Sequence, residues 1–302
     1  MQDWNREITE NFFTTGIVED LNFRFVLARN TSVATEAALR LDTDARVGTL
    51  LGEAMLASFF LATHSSKMND TVSLHLEGEG PVHRLIAFAS ADGAMRAMTP
   101  RPEARWGGEQ WDGIGRGILR VNRWMEDQQS YSSAVAMHGA HLSKNLQDYI
   151  GRSDQILSFL RLDSSIKPDV VGPDGLANVS GFLFQALPGV TPDQADAILD
   201  MIGERTPEEM ISAMLQPADE AGGTHRPGPL AVHPVKILKN GSFRYYCDCS
   251  IDKVSRVLRL MGPESIGSLV AENGCVEVFC EFCKTRYELS PAEVTELFSD
   301  VD

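Results

Sequence analysis

The sequence is poor in positive charge. Its 302 residues contain 27 Lys and Arg against 42 Asp and Glu, a formal net charge of −15, and no basic run stands out. Proteins that bind nucleic acids draw most of their affinity from Lys and Arg side chains that neutralise phosphates. The composition therefore argues against nucleic acid as the main partner and is typical of a soluble protein that stays dispersed.

Long apolar runs are also lacking. The longest, Ala54–Thr63, is far shorter than the roughly 20 residues that span a bilayer. Residues 1–13, MQDWNREITENFF, have neither the basic nor the apolar region of a secretory signal. These features predict no membrane partner and a cytoplasmic location. There, thiols are kept reduced, and clustered cysteines bind metal more often than they form structural disulfides.

Recognisable catalytic patterns are missing as well. The seven histidines form no HExxH motif, and no nucleophile stands beside a base. The glycine-rich run Gly113–Gly117 resembles a phosphate loop only loosely, because it lacks GK[ST] and the GxGxxG spacing. A turn at the edge of a strand is the favoured interpretation. The chain is predicted not to be an enzyme.

What is present favours an α+β fold, with a mostly antiparallel sheet and packed helices. Hydrophobic periodicity predicts helices at 32–41, 44–64 and within 136–164, and strands at 18–27, 72–76, 82–89, 94–98, 114–121 and within 172–187. These elements make up a predicted N-terminal domain, residues 1–190.

A helical linker, residues 191–234, is predicted to follow. Thr191 and Gln194 form a capping box with Pro192 at the first helical position, and Gly203 closes that helix. Thr206-Pro207 with Glu209 repeats the device. The surface of this pair of helices is soft and apolar, with Met201, Met210, Met214 and Leu215, and residues 218–229 are predicted to form a loop.

The remaining residues, 235–302, predict a small C-terminal domain of short elements. The pattern indicates a strand at 235–249, helices at 252–261 and 263–271, a hairpin of 276–280 and 284–289, and a last helix opened by the capping box Ser290-Pro291-Ala292-Glu293. Such short elements are typical of a domain that a metal ion holds together.

Four of the five cysteines form two tight pairs in this region, Cys247-x-Cys249 and Cys280-x-x-Cys283, with thirty residues between them. A hairpin turn directs both sulfurs of a C-x-x-C pair to one side, and an extended C-x-C also places both side chains on one face. Zinc prefers four soft ligands in a tetrahedron. The spacing predicts one Zn²⁺ per chain, against the alternative of four buried structural thiols.

The binding energy expected for zinc at this site is large enough for its loss to act as a switch. Four thiolates around one Zn²⁺ carry a formal charge of −2, which Lys253, Arg256, Lys284 and Arg286 are expected to balance in part. Structural zinc contributes about 10–16 kcal/mol of apparent binding energy in small fingers, whereas whole domains have only about 5–15 kcal/mol of net stability. Loss of the metal is therefore expected to unfold the C-terminal domain, and exposed thiolates are what oxidants attack.

The same residues resemble the Hsp33 family of redox-regulated holdase chaperones. The similarity includes Cys247-Asp248-Cys249, Cys280-Glu281-Phe282-Cys283 and the intervening SRVLRLMGPESIGSLVAENG. It extends upstream through LGEAMLASFFLATHSSKMNDTVSLHLEGEGPVHRLIAFASADGAMRAM and VSGFLFQALPG, and so covers nearly the whole chain.

The resemblance implies a substrate-binding N-terminal domain, a metastable linker and a zinc switch. In that family the reduced, zinc-bound form is inactive, and oxidants such as hypochlorous acid, or peroxide combined with unfolding stress, convert the thiolates to disulfides and expel zinc. The implied bonds here are Cys247–Cys249 and Cys280–Cys283. The linker then unfolds, dimers form, and unfolding client proteins are held without ATP hydrolysis.

Three alternatives stay open at this point. Cys275, which the family pattern does not require, is either an inert buried thiol or an alternative resolving thiol. The zinc could be purely structural, in a zinc-ribbon-like binding module for nucleic acid or a partner protein. A thiol–disulfide oxidoreductase using Cys280 and Cys283 is disfavoured because no thioredoxin-like βαβ context surrounds them.

Overall fold

The structure, a computed structural model, describes residues 11–63, 71–125, 128–139, 141–215 and 233–299. Its contacts divide the chain into two compact units, residues 1–245 and 246–302. The strands are Asn11–Val18 (β1), Phe23–Asn30 (β2), Thr71–Gly78 (β3), Arg84–Ser90 (β4), Ala94–Met98 (β5), Arg116–Met125 (β6), Gln128–His138 (β7), Ser158–Ile166 (β8), Leu176–Ala186 (β9), Val235–Gly241 (β10), Arg244–Tyr245 (β11), Val276–Phe279 (β12) and Arg286–Leu289 (β13). The α-helices in the same ranges are Thr31–Leu41 (α1), Ala45–Ala62 (α2), Leu142–Ser153 (α3), Pro192–Ile202 (α4), Pro207–Leu215 (α5), Ile251–Met261 (α6), Pro263–Asn273 (α7) and Pro291–Ser299 (α8).

The first unit contains two sheets. A five-stranded sheet has the order β10-β1-β2-β9-β8, and a six-stranded sheet the order β11-β5-β4-β3-β6-β7. All pairings are antiparallel except that of β11 with β5. The predicted α+β class with a mostly antiparallel sheet is confirmed.

Helix α2 forms the centre of the main core and contacts strands of both sheets. Asp44 caps its first turn by accepting a hydrogen bond from the Arg46 amide. By length and composition α2 could cross a membrane, but 94% of it is buried inside the unit. Burial among the sheets explains its apolar character, since nearly every side has a protein neighbour.

A second core lies on the opposite face of the five-stranded sheet, where helices α4 and α5 pack. We call the apolar side chains of the sheet in this core the outer face: Phe12, Val18, Phe23, Phe25, Leu27, Phe182 and Phe184. The helices cover it with Ile198, Met201, Ile202, Met210, Ile211 and Met214. Strand alternation explains why one sheet serves two cores, because neighbouring residues such as Phe13 and Val26 face α2 instead.

Both predicted capping boxes of these helices are present. The Gln194 amide donates to the Thr191 hydroxyl and the Thr191 amide to the Gln194 side chain, at 3.3 and 2.9 Å. Thr206 and Glu209 make the equivalent pair at 3.3 and 2.8 Å. The predicted loop at 218–229 lies outside the described residues.

The second unit is small. A two-stranded sheet of β12 and β13 packs with helices α6, α7 and α8 around a core of Leu258, Ile266, Val276, Leu289, Val294 and Leu297. The Ser290–Glu293 capping box is confirmed, with the Glu293 amide donating to the Ser290 hydroxyl at 3.4 Å and the Ser290 amide to the Glu293 carboxylate at 2.8 Å.

Three predicted elements are wrong in extent. The strand predicted at 18–27 is interrupted by a turn, in which Asn22 adopts a left-handed φ of 55°. The helical segment predicted within 136–164 contains only α3, because Gln155 has a φ of 55° and the following apolar residues belong to β8. The strand predicted at 235–249 ends at Tyr245.

The three-part division at residues 190 and 234 stays a prediction. In the structure, α4 and α5 belong to the first compact unit, and β10 pairs antiparallel with β1 of the same unit. The residues that carry the cysteine pairs lie in the second unit.

Candidate metal centre

The first cysteine pair lies on an irregular segment between β11 and α6. Cys247 and Cys249 are both half-buried, and Ser250 directly after them caps α6 by accepting a hydrogen bond from the Lys253 amide. The start of the helix therefore fixes the backbone that follows Cys249.

The second pair lies at the turn of the β12–β13 hairpin. The Cys280 amide donates to the Thr285 carbonyl at 3.0 Å, and the Lys284 amide donates to the Cys280 carbonyl at 2.9 Å. Lys284 has a left-handed φ of 57°, which closes the turn. This tight turn brings Cys280 and Cys283 together, as the C-x-x-C spacing predicts.

The four sulfurs lie within 4.8 Å of one another. The Sγ atoms of Cys247 and Cys280 are 3.6 Å apart, and those of Cys249 and Cys283 are 3.3 Å apart. In a tetrahedral zinc site with Zn–S of about 2.3 Å, the sulfurs are about 3.8 Å apart. The residues therefore fit a zinc ion in number, donor type and spacing.

Two hydroxyl groups contact this sulfur cluster. The Tyr287 hydroxyl donates to Cys249 Sγ at 3.1 Å, and the Thr285 hydroxyl lies 3.1 Å from Cys283 Sγ. Neither residue was predicted from the sequence. The available signal was period two at the start of β13, because residues 285 and 287 are two positions apart where the chain enters that strand.

The contacts shift the pKa values of the cluster. Burial raises the pKa of the Cys249 thiol. Burial would also raise that of Cys283, but hydrogen bonds with Thr285 and the neighbouring sulfurs lower its pKa to about 6. The hydrogen bond to Cys249 raises the pKa of Tyr287 to about 12. The tyrosine therefore stays protonated at neutral pH and acts as a donor.

Three of the four basic residues near the cysteine pairs form ion pairs with carboxylates. Lys253 pairs with Asp248, and Lys284 pairs with Glu281 at 3.0 Å. Arg286 pairs with Glu277 and, at 2.7 Å, with Glu288. That these cations and Arg256 partly balance the charge of the sulfurs stays a prediction.

Two other features of the sequence lie outside the cluster. Cys275 directly precedes β12, is half-buried, and is not one of the four grouped sulfurs. Gly113–Gly117 joins a 3₁₀ turn to β6, and Gly115 has a φ of 72°. A Cβ on Gly117 would lie 1.9 Å from the Glu77 carbonyl oxygen, so this run serves close strand packing and the turn interpretation is confirmed.

Comparison with known proteins agrees with this architecture. A family model described as Hsp33 protein matches residues 12–290. The chain belongs to the Hsp33 family. A chaperone role follows from that membership, and one relative, a 33 kDa chaperonin of Geobacter sulfurreducens, is 26% identical over 98% of each chain.

Other Hsp33 relatives extend the comparison. A 33 kDa chaperonin of Thermodesulfovibrio yellowstonii is 26% identical, with the alignment covering 83% of this chain and 86% of the relative. The crystal structure of the 33 kDa chaperonin of Thermotoga maritima matches with a TM-score of 0.80 and 22% identity, over 95% of this chain and 97% of that one. This chain and that structure therefore share one fold.

Proposed function

We propose that this chain is a redox-regulated, ATP-independent holdase chaperone rather than an enzyme. Its reduced form binds one Zn²⁺ through Cys247, Cys249, Cys280 and Cys283 and is inactive. Oxidation of the four thiolates releases the metal, detaches α4 and α5, and exposes a surface that binds unfolding proteins and prevents their aggregation. The observation that carries the proposal is the cluster of four sulfurs within 4.8 Å in a unit with a small core.

Bound zinc would hold the two cysteine pairs together and keep their sulfurs as thiolates. Each pair reacts with one peroxide or hypochlorous acid molecule. One thiolate attacks the oxidant, displaces hydroxide from peroxide or chloride from hypochlorous acid, and becomes a sulfenic acid; its neighbour then attacks that sulfur and displaces hydroxide. The pair loses two electrons to the oxidant and gains one S–S bond. The expected bonds, Cys247–Cys249 and Cys280–Cys283, leave no metal–sulfur bond between the first cysteine segment and the hairpin.

The surface proposed for clients is the outer face of the five-stranded sheet. Five phenylalanines lie on it, with the rings of Phe182 and Phe184 5.6 Å apart and those of Phe25 and Phe184 6.0 Å apart. Flexible methionines of α4 and α5 cover them, and such side chains adapt to many partners. An unfolding protein exposes apolar side chains of the same kind, so it can replace the helices.

Partners and location follow the same proposal. The partners are unfolded or partly folded proteins and, after oxidation, a second copy of the chain in a homodimer. We propose no nucleic-acid and no membrane partner and a cytoplasmic location, where a reducing environment keeps the four cysteines available for zinc until oxidants accumulate.

The test oxidises zinc-loaded protein with hypochlorous acid and follows light scattering by a thermally unfolding client. We expect suppression of client aggregation only after oxidation, together with release of one zinc ion and loss of four thiols. The matched control is Cys275→Ser, which leaves the four sulfurs intact and should behave like the wild type. Unchanged client aggregation with all four thiols oxidised would refute the holdase. Binding by the reduced form that chelation abolishes would favour a module with structural zinc.

A further inference from the structure

The hydroxyls of Thr285 and Tyr287 make direct contact with the sulfur cluster from one side. Tyr287 pairs with Val278 across the β12–β13 hairpin, which fixes its backbone, and Thr285 accepts the Cys280 amide with its carbonyl. Thr285 and Tyr287 are two residues apart where the chain enters β13, while Arg286 between them pairs with acids. The hairpin therefore presents two hydroxyls to the sulfurs from the same face.

Each cysteine pair has one sulfur in contact with one of these hydroxyls. Tyr287 donates to Cys249 of the first pair, and Thr285 contacts Cys283 of the second, both at 3.1 Å. A thiolate has no proton to give, so the hydroxyl must be the donor whenever these sulfurs are ionised. A donated hydrogen bond withdraws charge from the thiolate and lowers its reactivity toward an oxidant.

The two donors differ in their exposure to solvent. Thr285 is exposed, whereas Tyr287 is half-buried. Water can replace an exposed hydroxyl as a donor more easily than a half-buried one. The contribution of Tyr287 should therefore exceed that of Thr285.

We propose that Thr285 and Tyr287 are positioning residues of the zinc site that restrain oxidation at Cys283 and Cys249 and so set the oxidant threshold of the switch. The inference rests on the proposed function only where it concerns the threshold of the switch. The effect of the hydroxyls on zinc binding and thiol reactivity is measurable without a client. The oxidant is hydrogen peroxide, which takes two electrons from the two thiolates of each cysteine pair and leaves as two hydroxide ions.

The test compares Tyr287→Phe and Thr285→Val, each of which removes a hydroxyl and little else. Thr295→Val is the matched control, since the Thr295 hydroxyl donates to the Pro291 carbonyl on α8 of the same unit. Zinc affinity is measured by competition with a chromogenic chelator, and zinc release is followed after peroxide is added. Residues that orient metal ligands typically contribute 10–100-fold to affinity, so we expect a loss of about that size for Tyr287→Phe, a smaller one for Thr285→Val, and none for the control.

Site-resolved alkylation with mass spectrometry separates positioning from general destabilisation. We expect Tyr287→Phe to accelerate oxidation at Cys249 more than at Cys283, and Thr285→Val to do the reverse. Thr285→Ser, which keeps the hydroxyl, should restore the wild-type pattern. Wild-type affinity and release rate in Tyr287→Phe, or equal acceleration at all four sulfurs in both variants, would overturn the inference. A wild type that loses zinc on oxidation but holds no client would instead refute the proposed function alone.

Discussion

Glu53 is the carboxyl group most strongly altered by the fold. It lies in the middle of α2, accepts a hydrogen bond from the Ser164 hydroxyl of β8 at 2.5 Å, and is buried. Burial raises the pKa of Glu53 from 4.5 to about 7, and the negative charge of Asp163 acts in the same direction. At neutral pH the first unit therefore keeps a partly ionised carboxyl inside its main core.

This residue predicts a pH dependence of stability. Because the folded-state pKa is raised, the charged form opposes folding, and stability falls as pH rises from about 4.5 through 7. A shift from 4.5 to about 7 corresponds to roughly 3 kcal/mol at full ionisation. We expect Glu53→Gln, whose oxygen still accepts from Ser164, to stabilise the first unit by about 1–3 kcal/mol at pH 8 and to have little effect at pH 5.

Urea unfolding at the two pH values checks this expectation. Tryptophan fluorescence is the suitable readout, since all four tryptophans, at positions 4, 106, 111 and 124, precede residue 245. Glu36→Gln is the control, because Glu36 forms an exposed pair with Arg40 on α1. If the free energies of unfolding of Glu53→Gln and the wild type differ by the same amount at pH 5 and pH 8, the raised pKa of Glu53 is contradicted.

The residues of the site were partly predictable from sequence. The spacing of two cysteine pairs is a local signal, and the structure brings the four sulfurs together. Tyr287 and Thr285 were not identified, because their role depends on which face of a strand meets the sulfurs. The carboxylate partners of Lys253, Lys284 and Arg286 were not predicted from the sequence.

The linker helices are held on the outer face by two arginines as well as by apolar packing. Arg29 of β2 donates through Nε to the Glu208 carboxylate in the first turn of α5 at 3.0 Å and makes a second bond through Nη2. Arg161 of β8 donates to the Arg205 carbonyl and, at 3.4 Å, to the Gly203 carbonyl between the two helices. Both guanidinium groups also lie 5.8 Å from a phenylalanine ring of that face.

Removing the Arg29–Glu208 ion pair should loosen α5. Glu208→Gln replaces a half-exposed carboxylate that makes two bonds to Arg29. It also removes the repulsion between Glu208 and Asp163, which is the second cause, behind burial, of the raised pKa of Asp163. We expect a net loss of about 1 kcal/mol, which corresponds to roughly fivefold faster opening of the helix.

Hydrogen exchange of the backbone amides of Met210 to Met214 measures that opening. The zinc-loaded, reduced protein should be used, so that the cysteine pairs are unchanged. Glu36→Gln again serves as the control, because exposed pairs contribute little. If exchange in α5 is the same in Glu208→Gln and the wild type, the ion pair does not hold the helix.

Helix boundaries were the elements best predicted from sequence, because capping is local: both threonine boxes and the serine box appear where their residue types indicated. The extent of the helix within 136–164 was not predicted correctly, because the apolar residues of α3 and β8 continue one helical spacing across a turn at Gln155. The packing of α4 and α5 on one sheet face also lay beyond the sequence pattern, which predicts a soft apolar surface but not its partner.

Metal removal should affect the two units differently. We expect a strong chelator to unfold residues 246–302, with loss of circular dichroism from helices of 11, 11 and 9 residues, while tryptophan fluorescence from the first unit stays near its starting value. The reason is size: the second unit has six buried apolar side chains in its core, whereas the first surrounds an 18-residue central helix.

Far-UV circular dichroism and fluorescence on the same chelated sample test this difference. Readdition of zinc to the reduced protein should restore the lost signal. Retention of the full helical signal after complete demetallation would show that the C-terminal unit folds without metal, and zinc loss could then not be the trigger.

At the scale of the whole chain, the α+β class was predictable because it follows from hydrophobic periodicity. The order of strands was not, since β10 returns from far along the sequence to pair with β1. Long-range pairing of this kind depends on contacts that a local pattern does not encode.

That return of β10 anchors the chain in one sheet on both sides of α4 and α5, because β9 and β10 belong to the same five-stranded sheet. If α4 and α5 detach, they remain tethered to that sheet, which gives them a high effective concentration at the outer face. Re-docking is then a unimolecular step whose rate does not depend on protein concentration. Under the proposed function, a bound client would compete with an intramolecular lid, and restoring the thiols would favour its discharge without any other energy source.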